Sequence, residues 1–189
     1  MRAARLTMLL VLFTAAPLSM AKDKNEYADT IGVFKAAGES SEFFKTAYGY
    51  AVFPTVGKGG IGIGGAHGSG KVYVGGKPVG TTSMTQLTVG LQLGGQAFSQ
   101  IIFFEDKRAF DEFTNGNFEF GAEASAVAIT AGANAGASTT GSSAGASGGK
   151  NDATTVGKYY KGMAVFTVAK GGLMYQATVG GQKFSYKPL

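Results

Sequence analysis

Four groups of residues in this sequence have types and spacings that chemistry uses. Gly60-Ile61-Gly62-Ile63-Gly64-Gly65 satisfies the G-x-G-x-x-G pattern that cradles a dinucleotide pyrophosphate. The pattern works only where a helix opens at the glycines and turns its N-terminal N–H groups to the phosphates. Here His67-Gly68-Ser69-Gly70 follows, which cannot start a stable helix. Gly65 to Lys71 approaches the phosphate-loop pattern, with Lys71 in the lysine position. The next residue must be Ser or Thr to hold magnesium, and it is Val72. His67 is the only histidine and there is no cysteine, so a metal site would have to be built from carboxylates. Ser69 lies two residues from His67, but no nucleophile elbow surrounds it. Glu119 and Glu123 share the polar face of one expected strand, which suits a solvated face better than a pair of catalytic carboxylates. A hydrolase using Ser69 and His67 is the weakest alternative. The expectation is no catalytic residue, no metal, no cofactor, and no nucleotide or nucleic-acid partner.

What remains is charge. The chain carries a net +5. From Gly49 to Phe104 the charged residues are Lys58, Lys71 and Lys77, with no acid among them. From Ala153 to Leu189 they are Lys158, Lys161, Lys170, Lys183 and Lys187, again with no acid. Two purely cationic blocks favour an anionic partner such as a membrane surface. Lysines at strand edges also serve simply to keep those edges in water.

The two blocks resemble one another. Ala51-Val52-Phe53 matches Ala164-Val165-Phe166, and Lys58-Gly59-Gly60 matches Lys170-Gly171-Gly172. Gly68 matches Gly180 and Lys71 matches Lys183, with Pro54 as one extra residue, the mark of a bulge. The first unit, Gly49 to Tyr73, reads as strand, tight turn, strand, turn, strand. Two such units predict a pseudo-symmetric β-rich core. In it Lys58 pairs with Lys170 and Lys71 with Lys183 as lipid-binding cations, with Tyr50 and Tyr73 at head-group level.

The elements that position these residues follow from periodicity. Lys22 to Ala47 reads helical, with Tyr27, Ile31 and Phe34 on one face. Ser40 offers an N-cap for a second short helix carrying Phe43 and Phe44. Leu87 to Leu93 alternates as a half-buried strand, and Ala97 to Phe104 reads as a buried one. Asp106 is placed to cap a short helix that Gly116 ends. Phe118 to Ala128 alternates strictly as a further strand. Residues 131–152 are Ala, Gly, Ser and Thr and read as a low-complexity loop. With 31 glycines beside 14 Phe and 8 Tyr, the chain has both tight backbone geometry and a core. The expected class is α+β, a glycine-rich, mainly antiparallel sheet, barrel-like or sandwich, with short N-terminal and mid-chain helices.

The blocks also resemble a family. Gly49-Tyr50-Ala51-Val52-Phe53-Pro54, then Lys58-Gly59-Gly60 and Gly62-Ile63-Gly64-Gly65, is similar to the opening signature of the SYLF domain. Gly94-Gly95-Gln96 with Ile101-Ile102-Phe103-Phe104 resembles its middle section. Gly116-Asn117-Phe118 with Gly121-Ala122-Glu123-Ala124-Ser125 resembles the next block, and Lys158-Tyr159-Tyr160-Lys161-Gly162 the closing one. The resemblance implies non-catalytic phospholipid binding. Eukaryotic members bind phosphoinositide-bearing membranes and some bind actin. An exported bacterial member would meet anionic phospholipid or lipopolysaccharide. The alternative partner is an envelope protein paired through glycine-rich strand edges.

Residues 1–21 read as an export signal. Arg2 and Arg5 precede an apolar run from Leu6 to Ala16, and Ser19-Met20-Ala21 is a small-residue cleavage site. Residues 22–189 then form one domain in the periplasm, at the outer membrane or secreted. The exported product should begin at Lys22. Intact mass checks this, and a product retaining Met1 would refute it.

Overall fold

In a computed structural model of the chain, the residues described are 16–90, 96–121, 124, 126–129, 158–170 and 179–189. The low-complexity stretch, Glu123, and Gly171-Gly172 of the second repeat unit lie outside them. Three N-terminal helices come first: α1 (Ala16–Ala36), α2 (Gly38–Ser41) and α3 (Phe43–Thr46). Strands β1 (Gly49–Val74), β2 (Lys77–Gly90) and β3 (Gln96–Phe104) follow. Then come α4 (Lys107–Thr114), β4 (Val127–Ile129), β5 (Met163–Lys170) and β6 (Gln182–Pro188). The strands form one sheet in the order β4-β5-β3-β1-β2-β6. Only the β4–β5 pair is parallel. The class is α+β, as expected, but the sheet is open. Its edge strands β4 and β6 do not pair with each other, so it does not close into a barrel, one of the two forms expected.

β1 departs most from expectation. The glycine run holds no turn, and β1 is one continuous strand of 26 residues. The turn comes after it, where Gly75 (φ 57) and Gly76 (φ 76) adopt the left-handed conformations that a tight hairpin into β2 requires. Pro54 does mark a bulge, since the β1–β3 register shifts between Phe53 and Val56. The first half of β1 pairs with β3 and the second half with β2. The two halves also press on each other. A Cβ at Gly70 would lie 2.7 Å from the Phe53 ring and 2.8 Å from the Val52 carbonyl oxygen. At Gly68 it would lie 2.8 Å from Val56 Cγ2. At Gly49 it would meet the Tyr73 carbonyl oxygen. Here glycine is the residue that lets backbone approach backbone.

Because β1 doubles over, the sheet folds onto itself and acquires an inside. The inner face of one half carries Ala51, Phe53, Phe98, Ile102, Phe104 and Val165, and that of the other carries Ala66, Val72, Met84 and Phe184. Phe184 is 5.8 Å from Phe53, and Phe113 of α4 is 5.0 Å from Phe184 and 4.9 Å from Phe104. Each buried phenylalanine contributes roughly 1.5–3 kcal/mol. Gln100 of β3 and Gln182 of β6, both fully buried, exchange amide hydrogen bonds across this interior at 2.8 and 3.1 Å. The reciprocal pairing satisfies both amides where an orphan would be costly.

The helices cap the two sides as the apolar spacing indicated. Asp106 caps α4, accepting from the Ala109 N–H at 2.8 Å, and Gly116 (φ 88) follows its end. Phe34 of α1 and Phe43 of α3 cover the outer face over Val52, Tyr73, Phe103 and Phe166. Ser40 is not the N-cap expected of it. It lies inside α2, fully buried, and its hydroxyl donates to the Phe34 carbonyl instead. Phe118 to Ala128 is not a single strand either. Glu119 makes an isolated bridge to Lys183, and the chain enters β4 only at Val127. Its alternation is still realised, because Phe120 and Ala124 are buried in the inner core.

The two repeat units take different forms. The first lies in one strand, while Met163–Lys170 is β5, across β3 from the first half of β1, and Gln182–Pro188 is β6, across β2 from the second half.

Gly70→Ala should lose about 1–3 kcal/mol of stability by denaturant unfolding, the usual cost of overpacking. Gly59→Ala, with nothing within 4 Å of its Cβ, should be neutral or stabilising by up to ~1 kcal/mol. Equal effects would contradict the doubling of β1. The halves of β1 also bring Tyr50 and Tyr73 into a stack at 5.2 Å, and burial raises the pKa of both phenols above 10.0. A raised phenol pKa favours the protonated folded state. Its contribution is complete below the unfolded value and lost as pH climbs past 10.0 toward the folded one. Melting temperature should therefore fall above that pH, and the fall should shrink in the double variant Tyr50→Phe/Tyr73→Phe.

Candidate anion-binding face

Alternation along the second half of β1, along β2 and along β6 sends one set of side chains inward and the other to the outer surface. The register aligns the outer set in rows. Lys71, Thr81 and Lys187 form one row, Ser69, Ser83 and Ser185 the next, and His67, Thr85 and Lys183 the third. Neighbours across strands in such a row stand roughly 4.5–5.5 Å apart. Ser83 Oγ and Ser185 Oγ hydrogen-bond at 2.6 Å, and Lys183 meets Glu119 at 3.4 Å with both side chains largely exposed. No acidic residue lies on β1, β2, β3, β5 or β6. The surface is thus hydroxyl-rich and cationic.

The expected site residues separate across this geometry. Lys71 and Lys183 come together on the outer face, one strand apart on either side of β2. Lys170 is also on the outer side, at the end of β5, where it meets Glu26 of α1 at 3.4 Å and Thr55 at 2.6 Å. Lys71 sits with its ammonium 4.4 Å from the centre of the Tyr27 ring, so α1 engages both cations through adjacent residues. Lys58 goes elsewhere. Past the bulge, alternation puts it on the Val56 side, opposite Gln96, and burial lowers its pKa. Lys58 and Lys170, equivalent in the repeat, therefore lie on opposite faces of the sheet. Tyr50 and Tyr73 are on the outer side but beneath the helices, with Tyr50 5.2 Å from Phe44 and Tyr73 buried.

Lys187 is a member of this face that the repeat did not reveal, having no counterpart in the first unit. Simple alternation from Lys183 through Ser185 would have found it. Glu26, Tyr27 and Thr55 gave no such signal, because only the docking of α1 brings them to the sheet. His67 and Ser69 are exposed on alternate positions of one strand, facing Thr85 and Ser83. Among the described residues, no three His, Cys, Asp or Glu side chains gather to hold a metal. No helix there is long and apolar enough to cross a membrane.

Comparison with known proteins now bears on the fold. The family model described as "Ysc84: Las17-binding protein actin regulator" matches residues 85–187. The chain is 32% identical over 164 residues to Beta cell expansion factor A of Aeromonas veronii, covering 85% of this chain and 54% of that protein. The chain thus spans about half the length of that curated relative. The family match takes in the end of β2 from Thr85, all of β3, α4, β4 and β5, and nearly all of β6, more than half of the sequence. The chain belongs to the Ysc84 family, the SYLF-domain proteins.

Proposed function

We propose that this protein is a non-catalytic module that binds anionic phospholipid at an envelope membrane through the outer face of β1, β2 and β6. The observation that carries the reading is the row geometry. Lys71, Lys183 and Lys187 share one face, Lys183 and Lys187 exposed and Lys71 half-buried beside Tyr27, with Glu119 as the one acid paired to them among the described residues. Membership of the SYLF family supports a binding role. A rigid sheet holds the cations in fixed register, so a planar anionic surface can meet them together. The serine and threonine hydroxyls between them can donate to phosphate oxygens. The reading takes residues 1–21 as an export signal, so that the membrane met is a bacterial envelope whose phosphatidylglycerol and cardiolipin supply the charge.

The second reading is a protein partner. It rests on the family description, which names binding to Las17 and actin regulation. Vesicles of defined lipid with no other protein present separate the two.

Each lysine at an anionic surface is worth about 1 kcal/mol, so neutralising three should weaken binding on the order of 100-fold. The measurement is co-sedimentation with phosphatidylglycerol vesicles at low salt for Lys71→Gln/Lys183→Gln/Lys187→Gln, after circular dichroism has shown it folded. Wild-type binding should also decline as salt shortens the screening length. Unchanged partition of the triple variant would reject this face as the binding surface.

A further inference from the structure

We propose that Thr55 and Lys170 form a phosphate-binding cradle that the carboxylate of Glu26 fills in the free protein, and that a lipid phosphate displaces Glu26 from it. The inference rests on the lipid-binding reading above, and adds a second contact point with its own internal competitor.

The cradle is built by the bulge. Pro54 and Thr55 fall in the break between Phe53 and Val56, where β1 stops following the β3 ladder. Pro54 is tied down, its carbonyl accepting from Ser99 Oγ at 2.7 Å. Thr55, freed from pairing, is exposed on the side of α1. Lys170 arrives from the end of β5, on the far side of β3, and donates to Thr55 Oγ1 at 2.6 Å. Thr55 Oγ1 in turn donates to Glu26 Oε1 at 2.8 Å, and the Lys170 ammonium stands 3.4 Å from the same oxygen. A hydroxyl and an ammonium converging on one anionic oxygen is the chemistry that holds a phosphate oxygen.

Glu26 is a weak occupant. It offers a single oxygen, and both charged side chains of the pair are substantially exposed. A phosphate presents more anionic oxygens and can give the hydroxyl and the ammonium one each. Exchange would also bring charge near Lys71, whose ammonium lies over the ring of the adjacent residue Tyr27. Turning Glu26 away leaves the fold intact, since α1 is anchored further along by fully buried Phe34.

The shared chemistry is a phosphate group, from a lipid or free in solution, and the experiment separates the two. Glu26→Gln should raise partition onto phosphatidylglycerol vesicles ~5-fold, the factor corresponding to about 1 kcal/mol from one released exposed ion pair. Asp29→Asn makes the same charge change on the same helix at an exposed residue paired with no lysine among the described residues, and should raise it much less. The gain should vanish when Thr55→Val or Lys170→Gln is added. Inorganic phosphate should displace Glu26→Gln from the vesicles better than chloride at equal ionic strength if the phosphate group itself is the ligand. Displacement no better than chloride would overturn that assignment. Equal effects of Glu26→Gln and Asp29→Asn, or a gain that survives Lys170→Gln, would overturn the cradle while leaving the β1–β2–β6 face in place. Absence of vesicle binding by wild type and every variant would overturn both readings.

Discussion

The fold depends on the close approach of the two halves of β1. A strand of 26 residues has no reason to double over unless something draws its halves together and nothing keeps them apart. The attraction is the apolar interior, where Phe53, Phe104, Phe113 and Phe184 meet only if the sheet folds. What removes the obstacle is the absence of a side chain at Gly49, Gly68 and Gly70, where even a methyl group would collide with the facing strand. Dense packing makes such contacts unforgiving, because interiors have no slack to absorb an added carbon. The Gln100–Gln182 amide pair then fixes how the halves sit, since two buried amides must meet within hydrogen-bond distance or remain unsatisfied.

The same doubling divides the outer surface. Over Val52, Tyr73, Phe103 and Phe166 the outer side is aromatic, and α1 to α3 cover it. Over the rows from Lys71 to Lys183 it is hydroxyl and ammonium, and little apolar surface is there to draw a helix onto it. One strand thus serves both regions. Tyr73 belongs to the covered part, and Lys71, two residues earlier on the same side, stands at its margin under Tyr27. The change from covered to uncovered surface follows the change in side-chain type along β1.

Much of this was legible in the sequence because it is local. Alternation found the inward faces of Phe118, Phe120 and Ala124, and the capping position of Asp106 located α4. Pro54 disclosed the bulge. The glycine run was misread as turns because glycine has two uses, positive φ and close approach, and sequence alone does not distinguish them. Gly75 and Gly76 use the first and Gly68 and Gly70 the second. The site was legible in the same proportion. Lys71 and Lys183 share a face because β2 joins their strands, as the repeat suggested. Lys58 and Lys170 do not, because the bulge after Phe53 shifts the parity of β1 by one residue, and a one-residue shift moves a side chain to the other face. Contacts such as Glu26 with Lys170 depend on tertiary docking between residues 144 positions apart and leave no local trace.

Among the described residues, two ion pairs join the sheet lysines to acids from other elements, Lys170 with Glu26 and Lys183 with Glu119, both at 3.4 Å and both well exposed. Exposed pairs of this kind add little to stability, at most about 1 kcal/mol each. Their effect on charge is larger in consequence than their effect on folding. Each holds a carboxylate beside a cation that would otherwise face solution alone, and so lowers the field that the sheet projects. Salt acts on the two kinds of interaction unequally. Attraction to a surface across several ångströms of solvent is screened once the Debye length, about 10 Å at 0.1 M, becomes comparable with that distance. A carboxylate in contact with its lysine is screened much less. Rising ionic strength therefore weakens the outside attraction first and leaves the internal acids in possession of their lysines. Because a paired lysine carries less net charge to be screened, association governed by these groups should be shallower in salt than the number of lysines alone would give.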